Sequence, residues 1–371
     1  MQKKLIALAL ASAFAAPAFA ATSNVDIYGV LNVSVERINS GVSGADKSTS
    51  VNNNSSRVGF KGTEDLGGGL AAIWQIEASA NMDGTSTQFG TTRNTFIGLK
   101  GGFGTVLLGK IDTPMKGLGR SVDNFGDGIA DSRNILGTYP DGKNVWDART
   151  NNTVAYVTPD FSGLSATLAY VTDTGTPFTA TSASSGNCAT GLDCNKRDAW
   201  SAAVNYNNGP LMVGAGYEKH NSFVGATPFA DVSAHIWRVV AGYSFAGAKI
   251  GGLYEKASGD TVSSVPAVVN NGADRKAWGL FGNYAIGAVT LKANYLKADE
   301  TNNVANSGAK QYTLGADYAL SKRTTAYAFY AKVKNDSAAA YGLGAAGTSN
   351  TALGTAGVDP SVFGIGMKHA F

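Results

Sequence analysis

The residues of this 371-residue chain whose types and spacing could do chemistry are charged groups at regular steps. Asp123, Asp127 and Asp131 recur every four residues among Gly117, Gly119, Gly126 and Gly128. Rough helical spacing places their carboxylates on one side of the segment. Arg57, Lys61, Arg93 and Arg149, with Lys110 as a further candidate, are cations available to face them. Guanidinium stays charged at any relevant pH, so opposed Arg and Asp supply a fixed electric field. The groups of covalent catalysis do not assemble: His220, His235 and His369 are scattered, and no nucleophile-base pair or metal-ligating cluster stands out. Neither a cofactor nor an enzymatic activity is expected. Gly342-Leu343-Gly344-Ala345-Ala346-Gly347 matches G-x-G-x-x-G, but it lies in a small-residue tract with no strand-to-helix context, so it reads as chance in a chain with 47 glycines.

The elements that position these charges follow an export segment. Lys3 and Lys4, the apolar run Leu5 to Phe14 and the small-x-small triplet Ala18-Phe19-Ala20 read as a secretory signal over 1–20. The mature chain is then 21–371. Removing two lysines leaves 28 basic residues against 27 acidic ones, a net charge of +1 that gives no reason to expect nucleic acid. Cys188 and Cys194, with five residues between them in a Gly- and Ser-rich stretch of an exported protein, read as an oxidised loop clip. The longest charge-free stretch, 337–358, is too polar for a spanning helix.

From Val25 onward, about ten residues of alternating apolar and polar character are followed by a break, again and again. Trp237, Val239, Ala241 and Tyr243 are one run; Val289, Leu291, Ala293 and Tyr295 are another. This period of two is that of a strand with two different faces. Sixteen segments are predicted: 25–37, 56–65, 69–80, 92–101, 103–112, 149–158, 162–172, 197–207, 210–219, 234–245, 248–257, 275–285, 287–298, 309–319, 322–334 and 361–371. Short Gly- or Pro-containing turns alternate with long connections such as 38–55, 113–148, 173–196 and 335–360. One short-turn rim and one long-loop rim define an all-β, transmembrane, 16-stranded antiparallel up-and-down barrel, apolar outside and polar inside.

Tyrosine placement agrees. Tyr156, Tyr206, Tyr243, Tyr284 and Tyr318 precede short turns, while Tyr170, Tyr217, Tyr254, Tyr295 and Tyr330 lie near the opposite ends of the strands that follow. Amphipathic rings belong at the two membrane interfaces. Phe363, Ile365, Met367, His369 and Phe371 alternate to the end of the sequence, and His369 reads as an interface ring with no catalytic part.

With these features, the blocks YGVL (28–31), SSRVGFKGTEDLGGGL (55–70), FIGLKGGFGTVLLGK (96–110) and RTNNTVAYVTPDFSGL (149–164), together with terminal Phe371, resemble a Gram-negative general porin of the betaproteobacterial type. The resemblance covers essentially the whole mature chain. It implies a homotrimer in the cell outer membrane, embedded among lipid and lipopolysaccharide and assembled through recognition of the C-terminal strand with Phe371. It further implies that the third long connection, 113–148, folds into the lumen, and that Arg57, Arg93 and Arg149 form a basic wall facing the acidic loop. Alternation places Arg57 and Lys61 inward against outward Val58 and Phe60, whereas the parity of Lys110 is ambiguous. The apex reads Asn124-Phe125-Gly126 where many members have Pro-Phe-Gly.

The expected function is a water-filled channel for passive diffusion of ions and small hydrophilic solutes, with weak anion preference from the arginines. A substrate-specific porin is the alternative. The outward residues Leu31, Val33 and Val35 are candidate trimer contacts and would look the same facing lipid.

Overall fold

The computed structural model describes residues 24–84, 87–172, 198–221, 233–259, 274–302, 304–344, 348 and 354–371. The export segment predicted over 1–20 and both cysteines lie outside the described residues. In chain order the strands are β1 (Asn24–Asn39), β2 (Ser48–Asn53), β3 (Arg57–Gly67), β4 (Leu70–Ala80), β5 (Phe89–Thr92), β6 (Thr95–Gly101), β7 (Gly104–Asp112), β8 (Arg149–Val157) and β9 (Leu164–Val171). They continue as β10 (Ala199–Asn208), β11 (Leu211–His220), β12 (Ala234–Phe245), β13 (Ala248–Gly259), β14 (Arg275–Ile286), β15 (Val289–Ala298), β16 (Ala309–Ala319), β17 (Thr324–Asn335) and β18 (Ser361–Ala370). One helix, α1 (Pro114–Arg120), follows β7.

Eighteen strands make sixteen staves. Both β2 and β3 pair with β1, Ser48–Asn53 along Val33–Ile38 and Arg57–Thr63 along Asn24–Val30, so they are two lengths of one stave broken at 54–56. In the same way β5 and β6 share the edge of β4. Every pairing is antiparallel, and β1 closes the ring on β18, with Val30 opposite Ala370 and Asn39 opposite Ser361. Closure leaves no edge strand, which is what a sheet needs where no water can satisfy its backbone.

Local chemistry explains the turns and faces. The link between β12 and β13 is only Ala246 and Gly247, both at positive φ (45° and 81°), the backbone of a two-residue hairpin. On β12 the even positions 234–242 are buried and the odd ones carry exposed Trp237, Val239 and Tyr243; on β18, Phe363, Ile365 and Met367 are each more than half exposed. One face of the wall is thus a continuous apolar belt. Its upper edge is aromatic, with ring centroids 5.2 Å apart for Trp237 and Tyr254 and 5.3 Å for Trp278 and Tyr295.

Residues 113–148 pack against the opposite face. Thr113 caps α1 by accepting from the Lys116 N–H, and Pro114 occupies the first helical turn, where no N–H is needed. Leu118 seats on Gly214 and Gly216, Val122 on Gly251 and Phe125 on Gly315; a Cβ at Gly214 would lie 2.6 Å from Leu118 and one at Gly315 would lie 2.7 Å from Phe125. Only glycine admits so close an approach. The returning half is held by buried charge. Arg238 contacts Asp147 at 2.7 Å and Glu255 at 2.7 Å, Arg275 contacts Glu255 at 3.1 Å, and the Gly137 N–H donates to Glu255. Trp146, fully buried, stacks on His220 at 4.6 Å.

Candidate functional site

The segment's middle, 120–131, meets the wall at a cluster of charge. Arg57 on β3 reaches Asp127 at 3.1 Å, and Arg120, at the end of α1, takes the other carboxylate oxygen at 2.7 Å. Behind Arg57 stands Glu77 on β4, which pairs with Arg93 at 2.6 Å, lies 3.9 Å from Arg57 and accepts from the Tyr28 hydroxyl at 3.0 Å. Arg149 pairs with Asp112 at 3.0 Å and donates to Asn94 at 2.8 Å; Lys116 also reaches Asp112, at 2.8 Å. Lys61 sits 5.4 Å over the Tyr28 ring, exposed. Lys110 falls where the register of β7 on β8 shifts between Gly109 and Ile111, which is why its face could not be read from alternation.

Of the three aspartates at four-residue steps, one meets the wall arginines. Asp127 does so from positive φ (70°) with its N–H donating to Asp131. Asp131 is buried at 1% exposure, pairs with Arg133 at 2.9 Å and accepts from the Arg133 N–H. Asp123 accepts from the Phe125 and Ser132 N–H groups and from Asn294 on β15. The spacing that suggested one acidic face instead builds successive turns, with Asp123 and Asp131 as their hydrogen-bond acceptors. Burial, aided by the Asp131 charge, pushes the Asp123 carboxyl up to about 6. At Asp127 burial opposes ionisation, but Arg120 and then Arg57 hold the carboxyl well below the usual range. Burial brings Lys116 down to about 8 against the pull of Asp112.

Sequence reading passed over Glu77, Asp112, Arg120 and Lys116. Glu77 had a legible signal, since it alternates with outward Ile76, 55% exposed. The cluster contains five cations (Arg57, Arg93, Arg120, Arg149, Lys116) against three carboxylates (Glu77, Asp112, Asp127), so neither wall nor loop is of one sign. Such an array orients water and biases ions by charge; it holds no nucleophile with an adjacent base.

A closed antiparallel barrel of sixteen staves, apolar outside and charged within, defines an outer-membrane channel protein. A Gram-negative porin family profile matches residues 7–338, and the chain belongs to that family. It is 30% identical to outer membrane porin protein 32 of Delftia acidovorans and 28% identical to major outer membrane protein P.IB of Neisseria meningitidis serogroup B, covering all of both chains in each case. The solved anion-selective porin from Comamonas acidovorans superposes with a TM-score of 0.76 at 27% identity, covering 94% of this chain and all of that one. The protein resides in the outer membrane and forms a channel for passive diffusion.

Proposed function

We propose that residues 113–148 narrow the lumen, and that Arg57, Arg93, Arg120 and Arg149 bias the narrowed channel weakly toward anions. The supporting observation is the excess of cations over carboxylates in the cluster around Asp127 and Glu77. Lys61 and Lys110 add two cations without an ion pair among the described residues. Within a narrow bore such charges outweigh the near-neutral total. The Comamonas relative is itself described as anion-selective. Reversal potentials across a KCl gradient in planar bilayers test this reading, and clear cation preference would overturn it.

Family membership supports a homotrimer, with the outward face of β1 at Val33 and Val35 as a contact. Conductance closing in three equal steps is the expected signature. Phe371, whose N–H and carbonyl both pair with Gly29, is the residue we assign to recognition by the barrel-assembly machinery. The channel reading needs no cofactor and no catalytic step.

A further inference from the structure

On the short-turn side of residues 120–131 the inner face of the barrel holds a cavity that the cluster around Asp127 does not use. It has a volume of about 300 Å³ and runs from Phe125 and Gly126 to Lys322 and Arg323, in the turn between β16 and β17. One part of it is aromatic. Tyr327 leans across β18 over Gly366, where a Cβ would lie 2.5 Å from its Cζ, and Phe329 leans in the same way over Gly364. Laid over glycine, the Tyr327 ring rests one face on the wall and lines the cavity with the other. Its hydroxyl is committed to the wall, donating to Asn32 at 2.6 Å and accepting from Asn54 at 3.3 Å. What it offers a solute is therefore a π-face.

The other part is cationic. Asp317 is the one carboxylate among the described lining residues, and Lys292 takes it at 2.7 Å while standing 4.7 Å from the centre of the Phe125 ring. Lys322, Arg323 and Lys368 line the same cavity and have no ion pair among the described residues. Lys368 follows Gly366 by two residues on the inward parity of β18. Two residues along a strand span roughly 7 Å. That is the reach from the centre of an aromatic ring, through an attached carboxylate, to a hydrogen-bonded ammonium. A solute with both parts covers the ring face and neutralises the unpaired cations together. A small inorganic or aliphatic anion leaves the ring to water, and an uncharged ring leaves the cations unanswered.

We propose that this cavity is a binding site for aromatic carboxylates of benzoate size, with the ring on Tyr327 and the carboxylate among Lys368, Lys322 and Arg323. The test uses the full-length protein in planar bilayers at low salt, with benzoate, acetate, benzyl alcohol and benzylammonium as probes. Benzoate should interrupt the current saturably, at a half-blocking concentration at least tenfold below those of acetate and benzyl alcohol, and benzylammonium should give no saturable block. The variant Lys322→Gln/Arg323→Gln/Lys368→Gln should lose the advantage of benzoate over benzyl alcohol, and Lys322→Arg/Lys368→Arg should keep it. Tyr327→Leu should lose the advantage over acetate, and Tyr327→Phe should retain it. Equal block by benzoate and acetate in wild type, or an unchanged order of probes in the Gln triple, would overturn the proposal. Open channels in KCl without probe verify that each variant has formed a barrel. Reversal potentials in KCl read the cluster around Arg57 separately: cation preference together with saturable benzoate block would sink the selectivity reading and leave this site standing.

Discussion

Arg57 on the wall and Asp127 in the long segment after β7, seventy positions apart in sequence, meet at 3.1 Å. Because Arg120 holds the other oxygen of the same carboxylate, Asp127 is the negative centre between two guanidinium groups. Replacing it by Asn removes one negative charge and keeps a residue that tolerates positive φ. We expect Asp127→Asn to raise the chloride-to-potassium permeability ratio by about fivefold, an order-of-magnitude Coulomb effect of about 1 kcal/mol. Reversal potentials measure it; an unchanged ratio would place Asp127 outside the ion path.

Removing the cations should act in the opposite sense. In Arg57→Gln/Arg93→Gln, Glu77 and Asp127 lose their wall partners and face the lumen with less compensation. The permeability ratio should fall by roughly tenfold and pass to cation preference at low salt, with a smaller change at 1 M KCl, where the screening length shrinks to about 3 Å.

The buried charges around Arg238 anchor the segment rather than select ions. Arg238→Ala strands Asp147 without this cation and leaves Glu255 with Arg275 alone, and removing one partner of a buried pair costs about 3–5 kcal/mol. The expected result is a lower unfolding temperature in the heat-shift gel assay and noisier open channels. A quiet, fully heat-stable variant would show that the returning half of the segment is held by other contacts.

Asp123 gives a pH dependence of defined sign. Its folded pKa of about 6 lies above the ordinary carboxylate value, so the folded state binds the proton more tightly. The stabilisation is complete below the unfolded value near 4 and is lost as pH rises through about 6. Current noise from the 120–131 region should therefore increase between pH 5 and 7, and Asp123→Asn should stay quiet throughout. Noise that rises as pH falls would contradict the assignment.

Most of the wall was legible because its alternation is uninterrupted: 234–245 and 309–319 match β12 and β16 residue for residue. The stave begun by β2 was read eight residues short, because Ser48–Asn53 has Val51 as its one apolar residue and so shows no face. Residues 89–91 escaped for the same reason, with Phe89 the one apolar residue among them. At the site, wall arginines were visible through parity, yet their partners were not, since pairing of Arg149 with Asp112 depends on a register shift that alternation cannot encode. Asp123 and Asp131 share their spacing with Asp127, and only the folded turn separates acceptors of backbone N–H groups from the partner of a wall arginine.

The glycine seats at 214, 216, 251 and 315 and the charges under Arg238 pin the long segment from both ends. Under the proposed narrowing, a leaflet of chain clamped in this way sets an aperture of fixed width: swinging it aside would require pulling Leu118 and Phe125 from their seats and exposing unpaired buried charge together. On that reading throughput scales with the number of copies inserted, and lowering traffic means making fewer barrels instead of shutting existing ones.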